Sequence, residues 1–182
     1  MKKVGIIVLL ILAVMLCGCN EQQEDTNSFE QVNVDVQLGF ESFPQEHTCD
    51  GDNISPEIKI SGIDMENAES IAVVIEDPDA PQGIFTHWVI WNIEPTDTIP
   101  ADIPQQAEVN APISAVQGEN SFGNTGYSGP CPPEGEEHTY NVEVFVLSKK
   151  LDLPAESTRA DFESSLTGYV SQKGDVDVTY SR

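Results

Sequence analysis

The chain has 182 residues, with 31 acidic against eight basic side chains and a formal net charge of −23. That balance excludes nucleic acid and anionic membrane surfaces as general partners, because phosphate arrays are bound by basic patches. The length suits one domain with a real core.

Met1-Lys2-Lys3 precedes an apolar run from Val4 to Leu16, the pattern of a secretory leader. The run is short of the ~20 residues that a membrane-spanning helix needs. It ends in Leu16-Cys17-Gly18-Cys19, which resembles a lipobox. Cys19 follows small Gly18 and is the expected site of lipidation, whereas Cys17 follows bulky Leu16. The expected organisation is a signal peptide over 1–18, a lipidated Cys and flexible tether over 19–31, and one folded domain over 32–182. The polar, aperiodic composition of the tether cannot build a core. This places the domain at the cell membrane, lipid-anchored on the extracytoplasmic face. Without the leader the chain keeps six basic and 31 acidic residues, a net charge of −25.

Val32, Val34, Val36, Leu38 and Phe40 alternate with mostly polar residues, which predicts a half-buried strand. A short alternating piece surrounds Ile58 and Ile60. The continuous apolar run Ile71-Ala72-Val73-Val74-Ile75 predicts a central strand buried on both faces. Phe85–Ile93 predicts another, with His87, Val89, Trp91 and Ile93 on one face. The segment Asp97–Asn120 reads as loop and as a candidate protruding surface. Tyr140, Val142, Val144 and Val146 alternate, with Phe145 and Leu147 opposite; Val176, Val178 and Tyr180 form a last strand. One helix is expected from Arg159 to Val170, opened by Thr158 and Asp161 as a capping box, with Phe162, Leu166, Tyr169 and Val170 on one face. The sum is a mostly β protein, an antiparallel β-sandwich with one C-terminal helix packed on it.

Two cysteines lie beyond the leader, Cys49 and Cys131. Outside the cytoplasm an even pair reads as a disulfide; two buried thiols are the other reading.

Two loop-rich blocks carry the chemistry. The first is Asp77-Pro78-Asp79-Ala80-Pro81-Gln82-Gly83, followed by the strand Phe85-Thr86-His87-Trp88-Val89-Ile90-Trp91-Asn92. The second runs from Ser121-Phe122-Gly123-Asn124 through Tyr127-Ser128-Gly129-Pro130-Cys131-Pro132-Pro133 to His138-Thr139-Tyr140. Asp77 ends one strand and His87 begins the next, so a hairpin brings the carboxylate near the imidazole, where it favours the charged ring. In Pro130-Cys131-Pro132-Pro133 only Cys131 has a backbone N–H. His138 and Tyr140 are two apart and share a strand face. An imidazole, a phenol and an isolated N–H together can bind an oxyanion.

These blocks resemble the phosphatidylethanolamine-binding protein family, in its bacterial and archaeal branch described as Raf-kinase-inhibitor-like. The resemblance runs from about Leu38 to Arg182 and implies the same sandwich. It also implies a pocket that binds phosphate-like anions and phospholipid head groups. Asp77, His87, His138 and Tyr140 match the family's pocket residues, and Cys131 stands where a backbone donor is expected. Thr139 stands where many members have Arg, which removes a positive charge near the mouth.

Competing chemistries are weaker. Gly126-Tyr127-Ser128-Gly129-Pro130 is a near miss for a nucleophile elbow, with Pro in the last Gly position, and the next element is a strand rather than a helix. His47, His87, His138 and Asp77 lack metal-ligand spacing, and no metal or cofactor is expected. His47 is placed in a loop beside the pocket. Trp88 and Trp91 read as core, and Tyr127 as the aromatic facing the ligand. The expectation is a non-catalytic anion- or head-group-binding lipoprotein; the alternative is an interaction module that inhibits an enzyme such as a protease or kinase.

Overall fold

The structure is a computed structural model that describes residues 33–182. The expected signal peptide over 1–18, Cys19 and the whole of the expected tether over 19–31 lie outside the described residues.

Among the described residues, nine strands form two antiparallel sheets. The larger contains β3 (Ser70–Asp77), β4 (Phe85–Ile93), β6 (Glu108–Val109), β7 (Ala115–Gln117), β8 (Glu137–Leu147) and β9 (Val170–Ser181), in the order β6-β7-β4-β3-β8-β9. The smaller has β1 (Asp35–Gln37), β2 (Ile58–Ser61) and β5 (Thr98–Ile99), in the order β1-β2-β5. Val36, Ile58, Ile60 and Ile99 of the small sheet pack on Val73, Ile75, Ile90, Val142 and Val144 of the large one. This buried layer makes the molecule a sandwich. The outer face of the large sheet carries a second core of Val74, Val89, Trp91, Phe145 and Leu147, covered by Phe162 from α1 (Arg159–Ser165) and by Leu166, which caps the end of that helix. The central strand β3 therefore buries both faces, as its unbroken apolar run requires.

The helix starts where expected. Thr158 Oγ1 accepts the Asp161 backbone N–H, and Asp161 reaches back to the Thr158 N–H. It stops at Ser165 instead of continuing to Val170. Gly168, at φ 82°, turns the chain, and Val170 already pairs with Leu147 as the first residue of β9. β9 is accordingly more than twice the expected length, and its polar first half is held by pairing with β8 rather than by an apolar pattern. The first strand is shorter than its alternation suggests, since Gly39 takes φ 80° just after it. Residues 97–120 do not protrude as a loop. They contribute β5, β6 and β7 to both sheets.

Two irregularities in β4 position the site. Ile75 pairs with Trp88 and Glu76 with Thr86, so His87 is an extra residue without a partner on β3. A second shift lies between the Val73–Ile90 and Ile71–Ile93 pairs, where Asn92 has φ 60°. A bulge breaks strict alternation and re-aims a side chain. His87 consequently leaves the face of Val89 and Trp91 and joins Trp88 on the inner side, with its ring 5.2 Å from that of Tyr140. Past the second bulge Ile93 also faces the inner core.

Candidate functional site

Asp77 closes β3, His138 opens β8 and bulged His87 opens β4, so three adjacent strands deliver one polar side chain each to the same end of the inner core. There a cavity of about 310 Å³ opens to solvent, within the range of small-molecule sites. Its polar lining is Asp77, His87, His138, Cys131 and Arg182. Its rim is apolar, from Ala80 and Pro81 on one side, Phe85 and Phe122 on another, and Pro132 and Pro133 on the third.

Asp77 pairs with His138 rather than with His87. Its Oδ2 accepts from His138 Nδ1 at 2.8 Å, and its Oδ1 accepts the Asp79 backbone N–H at 2.9 Å. Asp79 in turn accepts the Thr139 N–H at 2.8 Å, fastening the Asp-Pro-Asp loop to the start of β8. Glu136 lies 3.4 Å from His138 Nε2. The hydrogen bond to Asp77 raises the His138 pKa above its ordinary 6.5 against the opposing effect of burial. Asp77 charge and Glu136 reinforce the rise.

His87 behaves oppositely. Its burial disfavours the charged ring and lowers its pKa, outweighing the Ser128 carbonyl and the charge of Asp77. Nδ1 donates to the Ser128 carbonyl at 2.6 Å, which fixes the tautomer of the neutral ring and leaves Nε2 as an acceptor. The two histidines of the cavity are thus shifted in opposite directions, and Asp77 favours the charged form of His138 rather than that of His87.

Tyr140 lies beneath the floor and does not line the cavity. It is fully buried against Phe43 and His87, and its hydroxyl has no hydrogen-bond partner of normal geometry. Burial raises its pKa strongly; the Cys131 backbone beside it offsets only part of this.

The wall on the Cys131 side is joined to the 45–54 loop. A disulfide joins Cys49 to Cys131, with Cα atoms 5.4 Å apart. The Cys49 N–H donates to the Pro130 carbonyl at 3.1 Å, and Asn53 accepts the Gly129 N–H at 2.7 Å. Gly129 is required here, since a Cβ would sit 2.0 Å from the His47 carbonyl oxygen. His47 itself is buried, stacked on Phe40 and bonded through Nδ1 to the Ile54 carbonyl, so it serves the loop and is not part of the cavity lining. Tyr127 is core as well, 1% exposed, with its hydroxyl donating to the His47 carbonyl at 2.6 Å and its ring against Trp88. The aromatic at the mouth is Phe122, 47% exposed and edge-on to Phe85 at 4.7 Å. Its signal in the sequence was a large apolar residue set among Ser121, Gly123 and Asn124 in a polar loop.

Trp88 and Trp91 are fully buried on opposite faces of the sheet. Ser128 Oγ is held by Asn120, and no nucleophile–base pair forms around it. Among the described residues no three His, Cys, Asp or Glu side chains converge as metal ligands.

The profile of the family described as "Phosphatidylethanolamine-binding protein" matches residues 35–181, and the chain belongs to that family. A UPF0098 protein of Pyrococcus abyssi is 41% identical over 179 residues, spanning 97% of this chain and 98% of the relative. A UPF0098 protein of Pyrococcus horikoshii is 40% identical across the whole chain and 91% of its own length. Among solved structures, Escherichia coli YbcL, described as a member of the mammalian PEBP family, superposes with a TM-score of 0.73 at 29% identity. The match covers 82% of this chain and 99% of that one. A PEBP homologue from Chlamydia trachomatis gives 0.72 at 26% identity, over 83% and 99%.

Proposed function

We propose that the protein is a non-catalytic, lipid-anchored extracytoplasmic binding protein whose cavity holds a small anion or the phosphorylated head group of a larger molecule. The observation that carries this reading is the Asp77–His138 pair at the cavity wall. A carboxylate holds an imidazole protonated where a ligand can reach it, inside a chain whose overall charge is strongly negative. Neutral His87 adds an acceptor for a protonated ligand oxygen. The apolar rim of Phe85, Phe122, Pro132 and Pro133 suits a ligand whose charged end is buried and whose remainder leaves across carbon.

Sulfate tests the reading, because its charge is constant between pH 5.5 and 8. Calorimetric affinity should fall as pH rises through the His138 pKa, and His138→Ala should weaken binding and flatten the profile. Loss of one charge-assisted hydrogen bond is worth about 1.5–3 kcal/mol. Native mass spectrometry of protein purified from membranes should show a phosphate-bearing species. Sulfate binding that ignores both pH and His138→Ala, with an empty cavity and a captured protein partner, would move the reading to an interaction module that inhibits an enzyme.

A further inference from the structure

Arg182 is an unassigned member of this cavity. Among the described residues it is the only lysine or arginine that lines it. The described lysines sit elsewhere: Lys59 by Glu57, Lys150 by Glu94, Lys173 by Glu143 and Lys149 over the Tyr169 ring. The other arginine, Arg159, is enclosed by Glu76, Glu143 and Glu163 on the outer face of the sheet. An arginine keeps its charge at every physiological pH, so Arg182 gives the cavity a permanent cation that neither histidine supplies.

The guanidinium is positioned rather than free. Its Nε meets Asp50 Oδ1 at 3.1 Å, and Asp50 Oδ2 accepts from the Tyr180 hydroxyl at 2.8 Å. Nη1 lies 3.7 Å from Cys131 Sγ. The Arg182 carbonyl accepts the Gly135 N–H at 2.9 Å, which fixes the backbone. Asp50 follows Cys49, whose disulfide partner is Cys131, so one covalent link ties the arginine's carboxylate anchor to the cavity wall. Nη2 has no partner among the described residues, and no carboxylate but Asp50 pairs with the group. A planar fork held at Nε by Asp50, with only a weak sulfur contact at Nη1 and with Nη2 unpartnered among the described residues, is suited to recognition of a tetrahedral oxyanion.

We propose that Arg182 is the pH-independent anion anchor of the cavity, with Asp50 as its positioning residue and an oxyanion such as sulfate or a phosphomonoester as its ligand. This rests on the anion-binding reading above. The division of labour is explicit: His138 contributes the part of the affinity that titrates, and Arg182 the part that persists when His138 is neutral.

The test uses inorganic sulfate and the full chain solubilised in detergent. Arg182→Gln should lower sulfate affinity about tenfold or more at both pH 5.5 and pH 8, leaving a pH slope set by His138. A measurement on the unsubstituted chain is independent of whether that variant folds. The chain has only two arginines, so mass spectrometry after phenylglyoxal treatment reports each separately. Sulfate should slow modification of Arg182 and leave Arg159 unchanged. If sulfate binds and yet neither the substitution nor the protection affects Arg182, the anchor role is wrong and the cavity reading stands. If sulfate does not bind the unsubstituted chain at either pH, both are wrong.

Discussion

His138 and Asp77 form a buried ion pair, Nδ1 to Oδ2 at 2.8 Å, while His87 on the neighbouring side of Asp77 turns its own Nδ1 to the Ser128 carbonyl. One carboxylate thus bonds one imidazole, and the two histidines in one cavity have their pKa values shifted in opposite directions. The His138 pKa lies above 6.5 through its bond to Asp77, and the His87 pKa lies below it through burial. Two-dimensional NMR of the imidazoles should show two transitions on opposite sides of 6.5, with Nε2 of His87 unprotonated at neutral pH. Two coincident transitions would contradict the geometry.

The same shifts set the pH dependence of stability. For His138 the folded pKa is raised, so its stabilisation is complete below the unfolded pKa near 6.5 and is lost as pH rises through the folded value. For His87 the folded pKa is lowered, so its contribution is present above about 6.5 and declines as pH falls through the folded value. Together they produce a stability maximum near pH 6.5. Urea titrations should show His138→Gln flattening the limb above pH 6.5 and His87→Gln the limb below it.

Asp77→Asn removes the charge but preserves the acceptor for the Asp79 N–H. It should lower the His138 pKa and cost about 1.5–3 kcal/mol of stability at pH 6. The loss should shrink as pH rises through the His138 pKa, where the unsubstituted pair also loses its proton. A loss that stays constant with pH would mean that Asp77 acts through packing or the turn alone.

The repeating parts of the fold were legible because burial imposes period two on a strand. The alternation of Tyr140, Val142, Val144 and Val146 maps directly onto the inner core, with Phe145 and Leu147 on the outer one. The start of the helix was legible because Thr158 and Asp161 satisfy its N–H groups locally. The bulges of β4 were not, because the extra residues at 87 and near 92 are set by pairing with β3, a long-range register that no local pattern records. The same holds for the polar half of β9. Gly174 lets the Val34 backbone approach so closely that a Cβ would meet its carbonyl oxygen at 2.2 Å. The site was legible in its residue types and only partly in its pairings. Asp77 was assigned to the nearer histidine in sequence, whereas the sheet order places β3 beside both β4 and β8. Arg182 carries no motif; only the β8–β9 pairing and the Asp50 contact bring it to the cavity.

The expected lipid anchor falls on residues before 33 and is tested in cells. The membrane fraction should contain a form whose N-terminal residue is an acylated Cys19, seen by mass spectrometry. Cys19→Ser should release the folded domain into the medium. A soluble cytoplasmic form beginning at Met1 would contradict the extracytoplasmic placement.

The loop wall separates two sources of rigidity. Cys49 and Cys131 are 82 residues apart, so on the chain-entropy model their bond contributes at most about 4.5 kcal/mol, by restricting the unfolded chain. Replacing both with Ser should lower the urea midpoint while leaving much of the cavity intact, because Asn53–Gly129, Cys49–Pro130 and Tyr127–His47 hydrogen bonds still join the two loops. Gly129→Ala acts on the folded state instead. Its added methyl meets the His47 carbonyl carbon at 2.9 Å as well as the oxygen, so the 45–54 and 127–131 loops must separate. That separation moves Cys131 and the Ser128 carbonyl that holds His87. Gly129→Ala should therefore weaken sulfate binding more than the double Ser variant does, even where its loss of stability is smaller. A double Ser variant that loses sulfate binding entirely, beside a Gly129→Ala variant that keeps it, would show that the disulfide and not the close backbone contact shapes the cavity.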